Sequence, residues 1–466
     1  MQIPVLNGIY TDGQSDFRTS YPRNKIPVPK QQGISEGYLR PADGIVKSGD
    51  GPGDDRGGVN WNGSHYRVMG TKLVKIADDN TIITIGDVGS GGQSTLEYSF
   101  DRLGVSSGGR LYYYDGAALT QVTDVDLGNV VDFVWVDGYF MSTDGTYLIV
   151  TELNDPFTVN PLKYGSSEAD PDPVKGLVKL RNEIYALNRY TVEVFQNVGG
   201  DNFPFERIEG AQLMRGAVGT YSACVFMEAL AYVGSGRNEA PAVWVGSNGQ
   251  TQKLSTREIE QVLMEYTEAE LSLIVAEARV VAGHQMMYIH LPDQTMVYDG
   301  AASQVTGQPV WFFLSSSIVG KSTYRARNFV WCYDKWQCAD PTGTAFGYLT
   351  SSVSSHYGDV VGWEFGTVIT YNEGRGAIFH ELELVVLSGR AAFGADPTVW
   401  TSYSVDGISW SQERPRSAGK QGERAKRINW LQQGFMRNWR IQKFRGTSDA
   451  HMSIARLEAR IEGMNV

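Results

Sequence analysis

Strand pairs anchored by aromatic residues recur along this chain at intervals that favour a repetitive β-architecture. They occur at HYRVMGTKLVKI (65–76), RLYYYDGAALTQV (110–122), GYFMSTDGTYLIV (138–150) and EIYALNRYTVEVF (183–195). LAYVGSGRNEAPAVWV (230–245), MMYIHLPDQTMVYDG (286–300) and FVWCYDKWQCAD (329–340) continue the series. Taking Tyr66, Tyr112, Tyr139, Tyr185, Tyr232, Tyr288 and Trp331 as anchors, the spacings are 46, 27, 46, 47, 56 and 43 residues. Propeller blades of four strands repeat at about 40–50 residues. The 27-residue interval reads as one anchor sitting on a second hairpin within a blade. The expected fold is therefore all-β and propeller-like, with six blades preferred and seven the other count. An irregular stack of β-sandwiches is the competing architecture.

Turn chemistry supports the hairpins. Asp-Gly occurs eight times, starting at Asp12, Asp43, Asp50, Asp115, Asp137, Asp144, Asp299 and Asp406, and Asn-Gly three times, at Asn7, Asn62 and Asn248. Both dipeptides accept the positive φ of two-residue hairpin turns. The 256–280 segment, TREIEQVLMEYTEAELSLIVAEARV, breaks the pattern with helical periodicity. Ile259, Val262, Leu263 and Tyr266 share a face there, followed by Leu271, Leu273 and Ile274. Thr256 is a candidate cap, and Thr267 with Glu270 resembles a second capping box. Two short helices in an insertion would explain the 56-residue spacing.

The ends differ from the middle. Residues 1–60, with IPVPK (26–30) and SGDGPGDDRGG (48–58), read as an N-terminal arm and loop expected to serve interfaces. Residues 61–350 form the propeller-like domain and 351–466 a C-terminal β-sandwich-like domain. Its last strand, within MSIARLEARIE (452–462), alternates poorly and is expected at a sheet edge.

At 466 residues, with 42% apolar and 20% charged, the chain is long and apolar enough for a large core. Acids exceed bases by 52 to 41, and the net charge of −11 argues against a general nucleic-acid coat. Cys224, Cys332 and Cys338 cannot make a disulfide framework. No signal peptide and no apolar run of about 20 residues is visible. A soluble protein made inside the cell is expected.

Chemical motifs are incomplete. SSSIVGKS (315–322) has Ser315 where a phosphate loop needs glycine, and His380-Glu381 meets Leu384 where a zincin needs its second histidine. His284, His290 and Asp293 could approach a metal, but a third ligand is only guessed. Asp50, Asp54 and Asp55 lack the ligand order of a hand-type calcium loop. STDG (142–145) and SVDGISW (404–410) approach the aspartate box of sialidase-like propellers, yet lack the residue between aspartate and glycine. No catalytic residue, metal ligand or cofactor is assigned, and no enzyme activity is expected.

One charge feature stands out. Residues 414–445 hold ten basic residues and the single acid Glu423, a net +9 that leaves −20 on the rest. A solvated face, a subunit interface and a DNA contact are all open readings. The interface reading names Arg424, Lys426, Arg427, Arg437, Arg440, Lys443 and Arg445, with Trp430 and Trp439 as anchors. Charge asymmetry of this kind suits head-to-tail association.

SEGYLRPADGIVK (35–47), HYRVMGTKLVKI, MRGAVGTYSACVFMEALAYVG (214–234), REIEQVLMEYTEAE (257–270), HQMMYIHLPDQTMVYDGAAS (284–303) and SVDGISW occur in an order that resembles one family. It is the packaged-DNA stabilisation, or tail nozzle (tail hub), proteins of short-tailed bacteriophages. The resemblance implies a structural virion protein, made in the host cytoplasm, that forms a ring, usually a hexamer. It would extend the DNA channel below the portal–adaptor assembly and help to retain packaged DNA. Implied partners are head-to-tail adaptor proteins, a tail needle or plug, a tailspike or fibre protein, and double-stranded DNA in transit. The alternative is a glycan-binding or glycan-cleaving propeller of a phage or bacterial surface.

Overall fold

The computed structural model describes residues 1–11, 16–30, 37–200 and 202–464. Seven consecutive antiparallel sheets form the blades of a propeller: 55–87, 96–121, 132–166, 174–207, 216–253, 275–314, and 327–350 completed by Gly44–Asp50. The first strand of each blade meets the first strand of the next, so the ring closes on itself. Closure uses the far end of the chain, because Gly44–Asp50 pairs with Ala345–Thr350 as the outer strand of blade 7.

Blades are buried on both faces, which requires apolar residues on both. Met286, Met287, Tyr288 and Ile289 are accordingly buried without a break. Separate apolar clusters fill the seven gaps between blades. Val68, Leu73, Leu103 and Val105 join blades 1 and 2, while Met69, Ile76, Ala339 and Phe346 join blades 7 and 1.

The preferred count of six blades is corrected to seven. Tyr112 lies on the third strand of blade 2, Arg110–Tyr114, whereas Tyr139 lies on the second strand of blade 3, Tyr139–Thr143. The short interval therefore separates two blades sampled at different strands. The glycine dipeptides also divide by role. Asn62-Gly63 and Asp137-Gly138 have both residues at positive φ between the first two strands of their blades. Met227-Glu228 and Tyr333-Asp334 make the equivalent turn without that signature. Asp299 instead caps a helix, Gly300–Thr306, and Asp43 is ion-paired to Arg279. The Asp12-Gly13 turn, and residues 35 and 36 of the family-like segment, lie outside the described residues.

The helical insertion is shorter than 256–280. Helix α1 spans Arg257–Met264 and α2 spans Glu268–Leu271, with the Thr267–Glu270 capping box formed. Residues Val275–Val281 are the first strand of blade 6, since Ile274 onward must reach the axis. Ile259, Leu263, Leu271 and Ile274 are buried, but Leu273 is exposed. Thr256 does not cap α1 through its side chain; its hydroxyl meets Tyr21 Oη at 2.7 Å.

Residues 1–60, read as arm and loop, contribute strands to both domains. Gln2–Ile3, Lys25–Pro29 and Gly37–Pro41 join one sheet of the C-terminal sandwich, with Ile454–Gly463, Ala377–Val386 and Ile428–Leu431. Gly362–Gly366, Trp439–Thr447, Thr398–Ser404 and Arg414–Ser417 form the facing sheet. Strand Ile454–Gly463 is not at an edge: it lies between Ala377–Val386 and the N-terminal strands. A register shift opposite Val385 and Val386 moves its alternation by one residue, which puts Ile454, Leu457 and Ala459 in the core and disguises the pattern. No helix among the described residues is long and apolar enough to cross a membrane.

Candidate assembly surface

The basic segment is distributed over the sandwich, and the fold divides the nine residues of the interface reading into three groups. Trp430 and Arg440 are inside. Trp430 has no exposed surface; its Nε1 donates to the Arg414 carbonyl at 2.9 Å and its ring packs on Phe444. Arg440 donates to the Gln433 carbonyl at 2.6 Å and to Gln442 Oε1, between the rings of Phe379 and Tyr403. Burial lowers its pKa to about 10. Both are corrected from interface residues to core residues, because side chains without accessible surface cannot meet a neighbour unless the sandwich opens.

A second group reaches the surface, Arg427 exposed and Lys443, Arg445 and Trp439 half-buried, and its cations are already paired. Arg427 binds Glu383 at 2.7 Å and also reaches Glu381, both on Ala377–Val386. The hydrogen bond holds Glu383 below the ordinary carboxylate range and Arg427 above its usual value. Lys443 pairs with Glu364 at 2.9 Å and Arg445 with Glu413 at 2.5 Å. Trp439 is half-buried, 6.2 Å edge-on from Phe17.

Arg424, Lys426 and Arg437 form the third group, with Lys420: all are exposed and make no ion pair among the described residues. The loop carrying three of them is ordered. Gly422 N donates to the Gly389 carbonyl at 3.1 Å, and Ser388 Oγ donates to the carbonyls of Glu423 and Arg424. Cations thus project from a fixed loop with no internal partner.

The rejected chemistry has structural explanations. His284 pairs with Asp299 at 2.5 Å, while His290 is buried between Thr295 and Glu277 and Asp293 accepts from Tyr266, so the three do not converge. Asp55 is held by Arg67 at 2.6 Å and by Asn328. Cys332 and Cys338 are buried free thiols, and desolvation raises the pKa of Cys338 to about 12. Asp406 caps its own turn, accepting from Ile408 N and Ser409 N.

Sequence reasoning missed a concentration of acids on blades 2 and 3, five of them exposed, four half-buried and Asp132 buried. Residues 96–166 carry ten acids against three bases, a local excess visible in the sequence once residues are grouped by blade. Near it lies a groove of about 400 Å³ lined by Tyr147, Tyr164, Val125, Asp126, Asp144 and Lys163 among others.

A propeller closed by its own N-terminal strand, fused to a sandwich that bears exposed, unpaired cations, defines a two-domain β-scaffold. Two family models match the chain: "Bacteriophage P22 Gp10, beta-propeller" over residues 1–354 and "Bacteriophage P22 Gp10, beta-sandwich" over 362–462. The chain belongs to this P22 Gp10 family of phage tail hub proteins, whose members are structural proteins rather than enzymes. It is 27% identical to the tail hub protein gp10 of Salmonella phage P22, an alignment covering 99% of each chain. Among solved structures, the N-terminal domain of Nup159 is similar at TM-score 0.43 and 9% identity, over 69% of this chain and 97% of that one. The Pan2 WD40 domain of Neurospora crassa follows at TM-score 0.40 and 10% identity, over 64% of this chain and 89% of that one.

Proposed function

We propose that this tail hub protein assembles as a hexameric ring in the virion tail, extending the DNA channel below the portal–adaptor assembly. The ring helps to retain packaged DNA, releases it at ejection, and offers docking faces to adaptor, plug or needle, and spike or fibre proteins. The observation that carries this reading is full-length relationship to a tail hub, joined by the exposed, unpaired cations Lys420, Arg424, Lys426 and Arg437 on a chain that is net acidic. Unlike charges on separate surfaces of one chain favour heterologous contacts, which close into rings when the rotation permits. Acidic surface facing the channel would repel phosphates and let the duplex slide, whereas a basic lining would retain it by counterion release.

Electron microscopy of the purified full chain and of virions tests the proposal. Rings of six copies, located in the tail below the portal, are expected. A persistent monomer together with absence of the protein from tails would overturn it.

A further inference from the structure

We propose that the groove on blade 3 receives the basic loop 420–426 of a neighbouring copy. This inference rests on the ring proposal and names the two surfaces that meet.

The groove combines the features a cationic loop needs. Tyr147 and Tyr164 stand edge to face with ring centroids 5.0 Å apart, and both are substantially exposed. Val125, 88% exposed, adds apolar surface to the same groove. Asp126 is exposed with no ion pair or side-chain hydrogen bond among the described residues. Asp144 lines the groove and is fixed there by accepting from Thr146 N and Tyr147 N at 2.8 and 2.7 Å. The one cation there, Lys163, is neutralised by Glu152 at 2.7 Å. The local field is therefore negative, and the aromatic faces suit a guanidinium or the aliphatic stem of lysine.

The loop supplies the complement. Lys420, Arg424 and Lys426 are exposed, unpaired and held on a backbone already fixed by Ser388 and Gly389. Ordering before contact lowers the entropic cost of association. The two surfaces cannot satisfy each other within one chain. The sandwich adjoins blades 6 and 7, where Arg23 bridges Glu364 to Phe313 and Gly44 N bonds the Val353 carbonyl. Blade 3 lies across the propeller from those blades in the closed order. A contact between opposite sides of identical molecules is head-to-tail, the geometry a ring requires.

Reciprocal charge exchange in the full-length protein tests the contact. Arg424→Asp and Asp126→Arg should each weaken self-association at least about tenfold by analytical ultracentrifugation, as expected for a close interfacial charge pair. Their thermal unfolding should match wild type at concentrations where all three are monomeric, because neither side chain has an internal partner. Mixing the two variants should restore association, since each then offers the surface the other lacks, and Tyr164→Ala should weaken it independently. Rings that form normally in both single variants would overturn this contact while leaving the ring proposal standing. Folded variants that weaken association but are not restored by mixing would also overturn it. A wild-type chain that never associates would remove both proposals. A groove that binds a soluble saccharide, with association unaffected by Tyr164→Ala, would assign it to the glycan reading instead.

Discussion

Arg67 has no accessible side-chain surface, and what surrounds it explains how the first and last blades stay together. Its guanidinium holds Asp55 at 2.6 Å, the Asn328 carbonyl at 2.6 Å and His65 Nε2 at 2.9 Å, while Asn328 returns a bond to Asp55. Removing one member of a buried pair leaves the other uncompensated, at a cost of about 3–5 kcal/mol. Arg67→Met should therefore lower stability by about that amount in urea unfolding, and Arg67→Met with Asp55→Leu should recover much of it. Burial already pushes the Asp55 pKa up, and losing Arg67 pushes it further. A raised carboxyl pKa means that the folded state holds a proton the unfolded state has released. The Arg67→Met deficit should then be smaller at pH 5 than at pH 8, and a pH-independent deficit would refute the account. Lys25 has the opposite sign. Burial lowers its pKa from 10.5 to about 7, with Nζ donating to the Met452 carbonyl at 2.7 Å and lying over Trp363. Between about pH 7 and 10.5 the unfolded chain keeps a proton the folded chain sheds, so this site adds stability as pH rises and loses it as pH falls toward 7. The stability difference between wild type and Lys25→Met should shift toward wild type from pH 7 to pH 10, by at most about 1.4 kcal/mol per unit. A difference that stays constant over that range would show Lys25 to be unperturbed.

At the scale of elements, the N-terminal strands are structural members of both domains. Ile3, Val5 and Leu39 belong to the sandwich core, and Gly44–Asp50 closes blade 7. A chain lacking residues 1–43 should keep the propeller transition and lose or lower that of the sandwich. A chain lacking 1–50 should lose propeller stability as well, because blade 7 then has an open edge. Differential scanning calorimetry of the two truncations decides this, and identical propeller transitions in both would show that closure does not need Gly44–Asp50. Repetition, strand chemistry, the capping box and the sandwich were legible in the sequence because they rest on local signals. Tight turns such as Met227-Glu228 and Tyr333-Asp334 were not, since their positive φ is imposed by the register of strands buried on both faces. The basic segment shows the same limit. Its charge was legible, but alternation along Trp439–Thr447 turns Arg440 inward and Trp439 outward, and only packing against the sheet of Ala377–Val386 decides which.

For the whole molecule, the remaining question is whether the unpaired cations of the sandwich meet protein or DNA. A clamp on phosphates would retard a moving duplex, because each neutralised phosphate adds a salt-sensitive attachment. A contact with carboxylates of a neighbouring subunit uses the same cations without impeding ejection. Salt weakens both, so salt dependence does not discriminate between them. Arg427, Lys443 and Arg445 are unsuitable probes, since reversing them would break ion pairs to Glu383, Glu364 and Glu413 within the chain. Arg424, Lys426 and Arg437 have no such partners, and reversing all three to glutamate should leave the melting temperature unchanged. Tail incorporation of the triple variant should fall by about an order of magnitude, as expected when interfacial cations become repulsive. Binding of the isolated protein to linear double-stranded DNA, measured by fluorescence anisotropy at fixed ionic strength, should change little. Normal incorporation together with lost DNA binding and capsids that leak their genome would instead assign these cations to the duplex.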